Sequence, residues 1–145
     1  MEEKVLPEGN LLLPASSFQQ AVEVNRHHNG VVGLWFDCDD EPENCAEALH
    51  QFEVIAVHFP IFSDGRGLSI ARLLKERYQY QGEIRAVGDV LVDQLFYMAR
   101  CGFNSFLLRE DQNPAYALKA LDTFSSTYQS GAYSGETVLH FRHGL

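Results

Sequence analysis

The chain has 145 residues, of which 46% are hydrophobic and 21% are charged, and these values exclude a mainly disordered chain and allow one hydrophobic core. The 11 Lys and Arg against 20 Asp and Glu give a formal net charge of −9, which argues against broad nucleic-acid binding because such binding needs many basic residues. No run of about 18 apolar residues is present to cross a membrane, and the acidic start lacks the pattern of a secretory signal, so we expect a cytoplasmic protein.

The hydrophobic pattern alternates between helix-like and strand-like segments along the chain. Residues 1–14 are predicted to form an irregular or edge segment. Apolar runs without alternation at 31–36 and 54–59 predict strands that are covered on both faces, and further strands are predicted at 83–87 and 103–108. Helical spacing and capping residues predict helices, at 16–28, 45–50, 68–78, 90–101 and 114–124. The tail, residues 126–145, is predicted to be rich in loops, with a final strand at 137–142.

This order predicts a single α/β domain over residues 1–145, in which alternating βα units build a mainly parallel sheet. Two architectures fit the pattern equally well. One is an open, doubly wound sheet. The other is a partial (β/α) barrel, whose missing half is either absent or supplied by a second subunit.

Cysteine and histidine spacing gives no sign of a disulfide scaffold or a metal site. The three cysteines are an odd number and form no Cys-x-x-Cys motif. His27 and His28 are adjacent, so a single helix face cannot present both of them. We therefore predict that the chain holds no metal.

Polar residues stand where the predicted strands end, and ligands of α/β proteins collect at the carboxyl ends of parallel strands. These residues are Asp37, His58, Asp89 and Arg109. His58 and Asp89 are the candidate catalytic residues, because histidine titrates near neutral pH and suits acid–base chemistry. The alternative interpretation makes His58 a hydrogen-bonded packing residue and Asp89 the N-cap of the next helix.

The loop before the third predicted helix resembles an anion-binding turn. Glycine backbone, helix amides and a guanidinium together suit an oxyanion such as phosphate, sulfate or sulfite. The candidate residues are Asp64, Gly65, Arg66, Gly67 and Ser69. In the alternative interpretation, Asp64 pairs with Arg66 and caps the helix. Both readings remain open.

Two further arginines are candidates for the same anion site, Arg85 and Arg109. Arg85 lies within a predicted strand, where an unpaired charge would be costly. It therefore forms either an ion pair, with Glu83 as one of its candidate partners, or an electropositive floor under the cleft.

Three runs of the sequence resemble a bacterial family named domain of unknown function 934. They are Phe59–Ser69, Gly82–Leu95 and Arg100–Phe103, and the resemblance extends over about residues 30–125. Members of that family are described as oxidoreductases connected with sulfite reduction, largely because their genes lie beside those of sulfate assimilation. The resemblance therefore implies a pathway, and it assigns no catalytic residue.

The resemblance leads to two hypotheses of function. In the first, the chain is an enzyme or enzyme component that handles a sulfur oxyanion. Sulfite reduction needs a redox cofactor and no cofactor motif is visible, so the cofactor stays unknown. In the second, the chain is a non-catalytic module that binds sulfite reductase or another sulfur-assimilation protein. A homodimer that completes a barrel-like unit is a third alternative.

Overall fold

The computed structural model describes residues 4–5, 11–61, 65–109, 111–113, 115, 116, 119 and 140–143, with only the backbone described at 4–5 and 140–143. The predicted helix at 114–124 and the predicted loop at 125–135 lie largely outside these residues.

In the described part of the chain, seven strands form one sheet, and the strands lie side by side in the order in which they occur in the sequence. The first pairing is antiparallel, and the five that follow are all parallel. The predicted α/β class with a parallel sheet is therefore confirmed. The strands are β1 (Lys4–Val5), β2 (Leu11–Pro14), β3 (Val32–Phe36), β4 (Val54–Phe59), β5 (Glu83–Gly88), β6 (Ser105–Leu108) and β7 (His140–His143).

Helical segments occupy the four connections between successive strands from β2 to β6. They are α1 (Phe18–His27), a 3-10 segment (Pro42–Gln51), α2 (Arg66–Arg72), which continues into a π-helical turn (Leu73–Arg77), and α3 (Leu95–Cys101). Short 3-10 turns at Ala15–Ser17 and Val92–Gln94 precede α1 and α3. The helix that was expected at 45–50 is thus part of a 3-10 segment, which is kinked at Cys45.

The amino-terminal segment is more regular than the sequence indicated. Residues 1–14 were expected to be irregular or to form an edge, but β2 lies inside the sheet between β1 and β3. Leu12 is fully buried there. The short run Leu11-Leu12-Leu13 gives too little pattern to distinguish an anchoring contact from a paired strand.

The strands β2 to β6 contribute residues alternately to two faces of the sheet, as the side-chain period of a strand requires. One face forms the main core with α1, the 3-10 segment, α2 and α3, through residues such as Phe36, Ile55 and Phe106. The other face carries a smaller buried cluster that includes Trp35, Ala56 and Leu107.

Within the described part of the chain, every helix that contributes to a buried cluster contributes to the same one. The strand order also lacks the reversal that defines a doubly wound sheet. Of the two architectures, these features favour the one-sided arrangement of a (β/α) barrel, and closure into a partial barrel stays a prediction. Among the same residues, no helix combines the length and the apolar character that a bilayer crossing requires.

Candidate functional site

The register between β3 and β4 brings an aspartate and a histidine together at the carboxyl edge of the sheet. Phe36 lies opposite Val57, so the following residues, Asp37 and His58, stand side by side. The Nδ1 atom of His58 lies 3.1 Å from Oδ1 of Asp37. About a third of each side chain is exposed, 33% for His58 and 34% for Asp37, so the pair is accessible to a ligand.

This pairing determines which nitrogen of the imidazole is available for chemistry. An ionised carboxylate only accepts hydrogen bonds, so neutral His58 donates to Asp37 from Nδ1 and keeps a lone pair on Nε2. The edge of the His58 ring that carries Nε2 faces Gly88, where an added Cβ would lie 3.1 Å from Nε2 and 2.4 Å from the carbonyl oxygen of Phe59. Gly88 also has a φ of +95°, a conformation that favours glycine. Glycine therefore keeps the space beside Nε2 open.

A tight turn after β3 holds Asp37 in place. The backbone N–H of Asp37 donates to Oδ2 of Asp40 at 2.8 Å, and the N–H of Asp40 donates to the carbonyl of Asp37 at 3.0 Å. Burial raises the pKa of Asp40 above its usual range, and the neighbouring Asp37 and Asp39 carboxylates raise it further, although the N–H of Asp37 opposes them. Asp40 thus gives up part of its hydration to fix the residue that orients His58.

Asp89 and Arg109 meet at the next two strand ends, but in an ion pair. Nη1 of Arg109 donates to Asp89 at 2.8 Å, and its Nε and Nη2 donate to Asp111 at 2.6 and 2.8 Å. These hydrogen bonds raise the pKa of Arg109 and lower the pKa of Asp111 to about 2. The charge of Arg109, which was expected to attract an anion, is therefore balanced by two carboxylates.

The prediction that Asp89 caps the next helix was wrong. Leu91 occupies the N-cap position. The N–H of Val92, the first residue of the helical turn, donates to the side chain of Gln112 at 2.9 Å. Asp89 instead uses its carboxylate on Arg109, and 17% of its side chain is exposed. The sequence pattern correctly indicated the start of a helix, but Gln112, which follows β6, accepts the hydrogen bond that was expected for Asp89.

The predicted anion loop is divided between two environments. Arg66 and Ser69 line a groove of about 530 Å3 together with an acidic wall that consists of Asp39, Asp40, Glu41 and Glu43. Gly67 is buried against the ring of Phe59, where an added Cβ would approach to 2.6 Å. Gly65 has an ordinary φ of −73°, and Gly67 also lacks a positive φ. Asp64 lies outside the described residues.

Arg85 lies away from this edge, in the buried cluster on the second face. It is 1% exposed and donates from Nε to Glu83 at 2.8 Å and to the hydroxyl of Ser105 at 3.2 Å. Arg85 precedes Gly88 by three residues, or about 10 Å along the strand. The structure therefore shows the ion pair with Glu83, which was one of the two alternatives.

The structure brings together some of the predicted residues and separates others. Asp89 pairs with Arg109, and Arg66 and Ser69 both line the acidic groove. His58, in contrast, lies beside Asp37 and Gly88, which were not predicted as site residues. Sequence reasoning missed Asp37 and Asp40 as site residues, although Asp37 was noted as a strand end. Within the described segments, no group of three His, Cys, Asp or Glu side chains is placed to hold a metal ion.

The fold and the site define an α/β protein with an aspartate–histidine pair at the carboxyl edge of a parallel sheet. Residues 33–139 match the family described as bacterial protein of unknown function (DUF934), and the chain belongs to that family. The predicted family membership is therefore confirmed. No curated protein and no solved structure gave a match.

Replacing Asp37 should change the protonated nitrogen of His58. In the native protein, we expect neutral His58 to carry its proton on Nδ1, because Asp37 accepts from that atom. In Asp37→Ala the proton should move to Nε2 in a substantial part of the molecules. Long-range ¹H–¹⁵N correlation spectra of histidine-labelled protein distinguish the two forms, and His27 in α1 should keep its spectrum. An unchanged His58 spectrum would contradict the pairing.

Asp40→Asn should stabilise the protein in a pH-dependent way. Folding raises the pKa of Asp40, so the protonated side chain favours folding at low pH, and this contribution is lost as pH rises through the raised pKa. Asparagine stays neutral and can still accept from the N–H of Asp37. The denaturant concentration at the unfolding midpoint of Asp40→Asn should therefore exceed that of the native protein by a larger amount at pH 7 than at pH 3. The exposed neighbour provides the control, since Asp39→Asn should show no comparable trend.

Proposed function

We propose that Asp37 and His58 form an acid–base centre, in which Nε2 of His58 takes up and returns a proton of a bound molecule. The observation that carries the proposal is the 3.1 Å contact between Nδ1 of His58 and Asp37. A histidine with one nitrogen held by a carboxylate presents the other in a fixed direction and protonation state. It does so here at the edge of the sheet where α/β proteins bind ligands.

Each neighbouring group has a role in this proposal. Asp37 orients the imidazole, and its charge stabilises the imidazolium that forms once Nε2 has taken a proton. The turn closed by Asp40 keeps the carboxylate in reach of Nδ1, and Gly88 leaves space at Nε2. The rings of Trp35 and His58 are nearly perpendicular, with centroids 6.1 Å apart, so that Trp35 limits rotation of the imidazole on that side.

We further propose that the chain is an accessory protein of assimilatory sulfate or sulfite reduction. The usual description of the family, which rests largely on genes that lie beside those of sulfate assimilation, supports this proposal. An aspartate–histidine pair moves protons, whereas sulfite reduction also moves electrons through a redox cofactor. Sulfite reductase or another sulfur-assimilation protein would supply the electrons, and this chain would handle protons or the small oxyanion. The second candidate function is a non-catalytic module that partners sulfite reductase.

The oxyanion part of the proposal places the anion at Gly65, Arg66 and Ser69. The exposed side chains of Arg66 and Ser69 on one groove support it. The four carboxylates in the same groove oppose it, because like charges repel an anion at short range. Anion binding is therefore weak in our expectation, and it depends on Arg66.

Genetic complementation tests both the pathway and the acid–base centre. A deletion strain of the source bacterium should grow more slowly than its parent on sulfate, and equally well on cysteine. The native chain should restore growth on sulfate. His58→Gln and Asp37→Asn should restore little of it, because they remove the proton acceptor and its orienting partner, whereas the control His27→Gln should restore it fully.

Each outcome of this experiment has a separate meaning. Equal growth of the deletion strain and its parent on sulfate would contradict the pathway assignment. Full rescue by His58→Gln, with protein levels matched by immunoblot, would contradict the acid–base centre and favour the interaction module. Co-purification of the His58→Gln protein with sulfite reductase would then identify the partner.

Calorimetry tests the oxyanion site separately. Titration with sulfite, sulfate and phosphate should give weak heats for the native protein, and Arg66→Ala should reduce the affinity by about tenfold, roughly 1.4 kcal/mol, because a charged hydrogen-bond donor is lost. Arg26→Ala in α1 serves as the control and should bind like the native protein. Equal heats for native protein and Arg66→Ala would refute anion binding at this loop.

A further inference from the structure

The groove of about 530 Å3 that contains Arg66 is lined by two segments of opposite charge. The segment after β3, residues 38–43, contributes four carboxylates, and α2 with its π-helical turn contributes the guanidinium groups of Arg66 and Arg77. Apolar surface lies among the charges, since Ile70, Leu73 and Tyr78 also line the groove. Such a combination can hold a molecule with two unlike charged ends.

Four of the charged residues that line the groove are not engaged in ion pairs with other described residues. Across the described part of the chain, Asp39, Glu41, Glu43 and Arg77 form no ion pair within 4 Å. All four residues are exposed. The guanidinium of Arg77 lies over the ring of Tyr78, 5.8 Å from its centroid, a placement that leaves its N–H groups available to a carboxylate.

The backbone beneath Arg77 has an uncommon geometry. Leu73–Arg77 form a π-helical turn, in which the N–H of Tyr78 donates to the carbonyl of Leu73 at 3.1 Å. π-helical turns are rare, and many occur at functional sites because they redirect side chains. Here the turn ends at Arg77 and leaves Leu73 37% exposed beside the groove.

We propose that this groove binds a small zwitterion of the α-amino acid type. Its ammonium group would pair with the carboxylates of residues 39–43, its carboxylate with Arg77, and its side chain would contact Leu73. A ligand with both charges satisfies both walls, whereas a plain anion meets four carboxylates and a plain cation meets two guanidinium groups. An ion with a single charge is therefore attracted by one wall and repelled by the other.

The groove adjoins the acid–base centre through one residue. Asp40 lines the groove, and its carboxylate also accepts from the N–H of Asp37. A ligand that contacts residues 39–43 would thus lie next to the turn that fixes Asp37. Binding of the zwitterion in the groove is independent of the proposed function. The further idea that His58 acts on the bound zwitterion rests on the proposed function.

Matched ligands test the proposal on the native protein. Backbone ¹H–¹⁵N spectra should be recorded with L-leucine, with N-acetyl-L-leucine, which lacks the ammonium charge, and with L-leucinamide, which lacks the carboxylate. L-leucine should shift amide signals in 38–43 and 66–78. Each blocked derivative should bind at least about tenfold more weakly, as expected when one of two charged contacts is lost.

Variants assign each end of the ligand to one wall. Arg77→Gln should weaken L-leucine about tenfold and should not weaken L-leucinamide, because the amide forms no contact with Arg77 and is repelled by its charge. The double variant Glu41→Gln with Glu43→Gln should weaken L-leucine and should not weaken N-acetyl-L-leucine, which the two carboxylates repel. Arg26→Gln, which removes a charge from the remote helix α1, should bind all three ligands like the native protein.

The titration distinguishes this proposal from the proposed function. No shifts in 38–43 and 66–78 at millimolar L-leucine, or equal affinity for L-leucine and its blocked derivatives, would overturn the zwitterion site. Neither result bears on whether His58→Gln complements the deletion strain. Conversely, full complementation by His58→Gln would contradict the acid–base centre, and it would not contradict binding of leucine in the groove.

Discussion

The register between β3 and β4 is the constraint on which the candidate site depends. It sets Phe36 opposite Val57 and therefore Asp37 beside His58. A slip of one residue would turn His58 into the helix-covered core, because successive side chains in a strand point to opposite faces. The register is well determined, since all five residues of β3 and five of the six residues of β4 are buried. Packing in the interior thus fixes a contact at the edge.

The arginines that were candidates for an anion site all lie beside carboxylates. Arg109 is held by Asp89 and Asp111, and Arg85 is buried beside Glu83 on the second face. Arg66 faces a groove rich in carboxylates. An acidic chain with a net charge of −9 therefore has no concentrated positive patch at this edge among the described residues, whereas 33% of the His58 side chain is exposed there.

Several local features could be predicted because a few neighbouring residues determine them. The apolar run Val54–Phe59 identified β4 to the residue, and Gly102, with a φ of +122°, ends α3 as its position after the helical pattern predicted. Asp89 shows the opposite case. Its position before a helix suggested a cap, but Arg109, 20 residues later, provides a charged partner. A local pattern cannot include a competitor that only the folded chain brings near.

The sequence alone determined the α/β class, the parallel strands, the family and the candidate role of His58, since hydrophobic periodicity and motifs are local properties. Only the tertiary structure decided that Asp37 is the partner of His58, that Gly88 rather than Gly65 or Gly67 uses a positive φ, and that acidic residues share a groove with Arg66. These outcomes depend on strand register and on the packing of distant segments. Such contacts join residues tens of positions apart, and their geometry follows from burying the whole core at once.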